Sequence, residues 1–264
     1  MSDHEILDKT RMDEAAVVPA DELSIASDPG LTEDLALALL KRPDLHLEVL
    51  ERLAKNLAAT KSRKVRIALV SHAHTPRHVS VPLARQFYTF DLMKVALAPG
   101  VPADVKVAVD DVLIARLKTV TLGERLTLAR RASGRVAAAL LLDVESGEEK
   151  ATRREMGKEK AEIVARENRV MLTALENPRL TEEFVISSVL RPHAGVALVQ
   201  AVARHSKWSR RREIRVALLR CEHLSLACAL EFSAEIPGPA LAELLGSSRL
   251  PTKIKDQLLR EAGS

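Results

Sequence analysis

From Leu31 onward the apolar positions recur at helical rather than strand spacing. Val65, Ala68, Leu69 and His72 fall on one stripe at i, i+3, i+4 and i+7, and Ile214, Ala217, Leu218 and Cys221 reproduce it. Start and stop signals frame these stripes. Thr32 is placed to cap a helix whose first turn carries Glu33 and Asp34, carboxylates suited to the positive end of a helix dipole, and Thr181 with Glu182 and Glu183 repeats the arrangement. Arg42-Pro43 and Arg191-Pro192 end those helices, because a residue before proline is pushed out of the helical region. Pro102 and Pro251 follow Val101 and Leu250 and open new helices, where a missing amide hydrogen costs little. The phrase Thr121-Leu-Gly-Glu-Arg-Leu reads as a turn into a further helix.

The stripes recur because the chain resembles itself. Shifted by 149 positions without a gap, the stretch from Pro29 to Lys106 lies on Pro178 to Lys255. Leu31-Thr32-Glu33 meets Leu180-Thr181-Glu182, Arg66 meets Arg215, Ala68-Leu69 meets Ala217-Leu218, His74 meets His223, and Lys106 meets Lys255. A finer period of 43 residues separates Ala174-Leu175 from Ala217-Leu218, and Ile25-Ala26 from Ala68-Leu69, a spacing that fits a unit of two helices. Repetition of apolar helical segments predicts an all-α solenoid, each unit burying its face against its neighbours. The expected organisation is an acidic flexible tail over residues 1–22, a first repeat half over 23–144, a charged linker or insertion over 145–168, and a second half over 169–264.

Composition narrows the core. Of the 264 residues 47% are apolar but only 2% aromatic, so the interior must be built from Leu, Val, Ala and Ile, a palette suited to helix-on-helix packing. No apolar run approaches the roughly 18 to 20 residues that span a bilayer. The start, Met1-Ser2-Asp3-His4-Glu5, lacks the basic-then-apolar layout of a secretory signal, so a cytoplasmic location and no membrane partner are expected. Charge is uneven: residues 1–34 hold ten acids and two bases, a net of −8, which leaves +12 on the remainder of a chain whose total is +4.

The phrases Val65-Arg66-Ile67-Ala68-Leu69 and Ile214-Arg215-Val216-Ala217-Leu218, with the turn Asn177-Pro178-Arg179-Leu180-Thr181-Glu182, resemble the HEAT-like repeat family and its bacterial leucine-rich-variant relatives of armadillo type. The resemblance covers most of residues 25–260. It implies a right-handed α-solenoid of helix pairs that serves as a non-enzymatic scaffold or adaptor, with another protein as partner. Such motifs specify architecture better than activity.

Candidate binding chemistry concentrates in His205-Ser-Lys207-Trp208-Ser-Arg210-Arg211-Arg212-Glu213-Ile214-Arg215, which gathers four arginines, a lysine and the only tryptophan within about three helical turns. The first copy is also basic at this place, through Lys61, Arg63 and Lys64. Matched positive patches could line one face and follow an extended polyanion, so Lys61, Arg63, Lys64, Lys207, Trp208, Arg210, Arg211 and Arg212 are the candidate macromolecule contacts. Duplex nucleic acid is the alternative partner, since single-strand readers need rings for base stacking. The opposing expectation is a hydrated helix start whose arginines pair with acids of the preceding repeat. The acidic leader could also fold back onto the basic face and compete with an acidic partner.

Sharper chemistry finds less support. Lys207-Trp208-Ser-Arg210-Arg211-Arg212-Glu-Ile214 is similar to a phrase of HEAT-like DNA alkylpurine glycosylases, but that resemblance implies a cleft of several aromatics, and this chain has one Trp and one Tyr. Cys221, His223 and Cys228, like His72, His74 and His78, suggest metal ligands, yet Cys221 aligns with His72 and Cys228 with Val79. Two residues seven apart on a helix are about 10 Å apart, too far for paired zinc bonds near 2.3 Å. There is no glycine-rich phosphate loop, no Gly-x-Ser-x-Gly elbow and no His-Glu-x-x-His helix. No enzyme activity, cofactor or metal is expected.

Overall fold

The computed structural model describes residues 20–142, 158–192 and 194–262. The tail expected over residues 1–22 therefore lies outside the described residues up to position 19, and the charged segment expected over 145–168 lies outside them up to position 157. Among the described residues there are seventeen helices and no strand. None of these helices is long and apolar enough to cross a membrane. The chain divides into two compact units, Met1–Val112 and Leu113–Ser264.

The first unit contains α1 (Ala20–Ser27), α2 (Glu33–Leu40), α3 (Leu47–Lys55), α4 (Leu57–Lys61), α5 (Arg63–Ser71), α6 (Arg77–Ala84) and α7 (Thr89–Leu97), and α8 (Ala103–Arg116) crosses its boundary. Local signals start these helices where their caps stand. Thr32 Oγ1 accepts the amide of Leu35, and Ser62 Oγ accepts that of Val65. Packing then alternates: α1 lies on α3, while α2 lies on α5 and α5 on α7, so successive helices fall into two rows. Val49, Leu50 and Leu53 of α3 join Ala26, Ala36, Val65 and Leu69 in a core from which solvent is excluded. Glu48 and Arg52 stay on the opposite side of α3, 3.6 Å apart, four residues being one turn. Asn56 fastens the junction of α3 and α4 to α1: its Oδ1 accepts the Ala58 amide, and its Nδ2 donates to the carbonyls of Ala26 and Asp28 at the end of α1.

The second unit continues with α9 (Leu122–Arg131), α10 (residues 134–142), α11 (Lys158–Leu175), α12 (Glu182–Val189), α13 (Val196–Arg204), α14 (Arg212–Leu218), α15 (Leu226–Ser233), α16 (Gly238–Gly246) and α17 (Thr252–Ala262). Thr121 and Glu124 form a reciprocal capping box at the start of α9, each side chain bonded to the other's backbone. The bounds of α12, α13, α15 and α16 stand 149 positions after those of α2, α3, α6 and α7. Packing follows the same correspondence, since α11 lies on α13 and α12 on α14, as α1 lies on α3 and α2 on α5.

Three features of the described residues fall across the expected boundaries. Helix α1 begins inside the expected tail, and Glu22 within it is buried against the Arg42 guanidinium. Residues 158–168 of the expected linker belong to α11, whose C-terminal part buries Val170, Met171, Ala174 and Leu175. The boundary between units falls at Val112/Leu113 rather than at the charged segment. The physical reason is a tie across that segment: buried Asn177 donates through Nδ2 to the carbonyls of Ala129 and Ala132, at 2.8 and 3.2 Å, which joins α9 to the turn after α11.

Candidate functional site

In the first unit the basic residues surround the junction of α4 and α5. Lys64 Nζ donates to Glu33 Oε1 at 2.9 Å, and Ser62 Oγ donates to Glu33 Oε2 at 2.7 Å. The Lys64 ammonium, with the Ser62 hydroxyl, holds the Glu33 carboxyl below its ordinary range, and the same bond raises Lys64. Arg63 grips Asp91 with both arms, Nε to Oδ2 and Nη2 to Oδ1, each at 2.7 Å, which raises the arginine pKa. The Asp91 side chain is 1% exposed, so this bond fastens α7 to the start of α5. Lys61 is exposed and has no acidic partner among the described residues.

The second unit carries a different arrangement on the same register. Arg211 reaches Glu182 at 3.4 Å where Ser62 meets Glu33, and Arg215 reaches Glu235 at 2.8 Å where Arg66 meets Gln86. Arg212 stands at the place of Arg63, but Ala240 stands at the place of Asp91. Arg212 and Arg210 are consequently exposed, without an acidic partner among the described residues. Trp208 is 1% exposed, and its Nε1 donates to the carbonyl of Leu175 at 2.9 Å, a position equivalent to the Ala26 carbonyl taken by Asn56. Lys207 Nζ sits 3.9 Å from the centre of that ring, covering it. Trp208 therefore packs inside its unit and offers no face to a partner.

Of the eight candidate contacts, Arg63, Lys64 and Arg211 are spent on acids and Trp208 on the core. Lys61, Lys207, Arg210 and Arg212 remain exposed and unpaired with any acid among the described residues. Sequence reasoning missed the neighbouring aromatic edge. Tyr88 is 72% exposed and Phe90 39% exposed at the start of α7, with the Arg63 guanidinium 5.5 Å from the centre of the Tyr88 ring. A signal was available, since Phe87, Tyr88 and Phe90 are half of the aromatic residues of the whole chain.

His72, His74, His78 and Cys221 bond to neighbouring segments. His72 Nε2 bonds the Arg42 carbonyl at 2.8 Å, His74 Nδ1 lies 3.3 Å from the Leu45 carbonyl, and His78 Nε2 lies 3.0 Å from Glu51. Cys221 is buried, its Sγ 3.1 Å from the Val189 carbonyl, and burial pushes its thiol up to about 11, against the pull of Arg249. Among the described residues no three His, Cys, Asp or Glu side chains are grouped to hold a metal ion.

The class defined by these observations is an all-α protein of helices packed in two rows within each unit. Comparison with protein-family models, with curated proteins and with solved structures finds no match to the chain.

Proposed function

We propose that this chain is a non-enzymatic helical-repeat adaptor, a right-handed solenoid of HEAT-like helix pairs that arose by internal duplication, acts in the cytoplasm and holds another protein. The duplication is supported by helix bounds and packing that recur at one offset. The observation that carries protein binding is the edge of Tyr88, Phe90 and Arg63. Tyrosine, phenylalanine and arginine are the residues that protein interfaces enrich, and a chain with so few rings gains nothing for its own core by exposing two of them. Asp91 holds Arg63 over the Tyr88 ring, so the edge is ordered before any partner arrives, which lowers the entropy lost on binding.

Quantitative affinity purification from lysate tests the proposal, using the full chain and a Tyr88→Ser/Phe90→Ser variant. The expected result is a protein enriched by the wild type and depleted on the order of tenfold by the variant, as loss of central aromatic contacts implies. Equal capture by both, with equal helix content by circular dichroism, removes the edge from function.

A second reading, duplex nucleic acid, is favoured by the exposure of Lys207, Arg210 and Arg212 without matched acids. Fluorescence anisotropy with duplex DNA over a salt series separates the two. Affinity that falls steeply with salt and drops in Lys207→Ala/Arg210→Ala/Arg212→Ala supports phosphate tracking, and absence of binding at low salt eliminates it.

A further inference from the structure

The second unit contains a cleft of about 470 Å³ that belongs to none of the surfaces described so far. It forms where the end of α8 and its following turn meet α10 and α12, and its apolar lining includes Leu117, Leu142 and Phe184. Lys118, Arg135 and Arg191 stand in its lining, one from each of three segments, and among the described residues no acidic side chain lines it. Lys118 and Arg191 are exposed and have no acidic partner among the described residues.

Lys118 and Arg191 place two positive charges on the lining of one apolar cleft, and a ligand with the opposite charge complements them as it binds. The apolar lining in turn rewards burial of an apolar group by removing it from water. A ligand that satisfies both carries an apolar side chain flanked by carboxylates. Beside the cleft, a Cβ on Gly134 would run into the Arg179 carbonyl oxygen and lie 3.2 Å from the Phe184 ring, so only glycine lets α10 and the turn before α12 sit this close.

We propose that this cleft docks an acidic amphipathic segment of a partner protein, its apolar side chains on Leu117, Leu142 and Phe184 and its carboxylates on Lys118 and Arg191. The proposal rests on the adaptor reading above, but it concerns a different surface, so the two can fail separately.

The test is a fluorescence-polarisation titration of the full chain with a labelled synthetic helix whose leucine and phenylalanine face is bordered by glutamates. A second helix carries lysines at the glutamate positions. Binding of the glutamate helix alone, weakened on the order of tenfold by Lys118→Glu/Arg191→Glu and by raised salt, is the expected outcome. A second variant, Ala139→Leu, narrows the cleft without changing charge and is expected to weaken binding to a similar degree. Equal binding of both helices overturns the proposal, as does full binding by both variants with wild-type helix content. Displacement of the helix by decanoate at equal affinity also overturns it, in favour of a small amphiphilic anion. Tyr88-dependent capture from lysate is unaffected by any of these results, so it reports on the adaptor proposal independently.

Discussion

Arg63 and Arg212 have the same sequence neighbourhood at the start of a repeat helix and opposite circumstances. The first is bound by two hydrogen bonds to the buried carboxylate of Asp91, and the second faces solvent, because position 240 carries a methyl group instead. The asymmetry of the pair itself has a consequence for stability. Arg63→Ala leaves the Asp91 carboxyl buried without its partner, which costs about 1–3 kcal/mol or more, whereas Asp91→Asn leaves an arginine that is 55% exposed and can be hydrated. Urea unfolding should therefore place the midpoint of Arg63→Ala below that of Asp91→Asn, and the reverse order excludes the pair as a structural fastener. Cys221 supplies a second expectation at this scale. With its thiol raised to about 11 by burial it stays protonated at pH 8, so iodoacetamide should label the half-buried Cys228 first and Cys221 only on unfolding. Mass spectrometry of the labelled cysteines distinguishes the order, and labelling of Cys221 in the native protein contradicts it.

Among the elements, caps and stripes were legible one by one. Thr32 starts its helix through a hydrogen bond three residues on, and Val65 and Leu69 of α5 fall on the buried stripe that the spacing marks, whereas the Ser62 cap and the reciprocal Thr121–Glu124 box came from the structure. Thr181 marks the start of α12 without a side-chain cap bond, so position and bonding separate there. Gly134 escaped the sequence reading, since nothing near it along the chain reveals that Arg179 will press against its α carbon. Gly134→Ala sets a Cβ into a backbone oxygen and forces α10 away from the turn before α12, an overpacking that costs about 1–3 kcal/mol or more. Thermal unfolding should record a clear drop in Tm for this variant, while Gly123→Ala, where a Cβ meets open space, should leave Tm nearly unchanged or raised. Equal effects of the two substitutions refute the close approach.

For the molecule as a whole, the bounds of four helices in each unit recur at an offset of 149 residues, yet matched positions present different surfaces. The first neutralises its basic junction through Glu33 and Asp91 and exposes Tyr88 and Phe90. The second buries its tryptophan under Lys207 and leaves Arg210 and Arg212 in solvent. The all-α class and many of the places where helices begin and end follow from the sequence alone, because periodicity and capping act over a few residues of chain. Which cations remain available was decided only by tertiary structure. Arg63 and Asp91 are 28 positions apart, and the cleft lining comes from three segments spread over nearly eighty residues. Ion pairing and cavity shape depend on neighbours in space, and it is the packing of the two helix rows that chooses those neighbours.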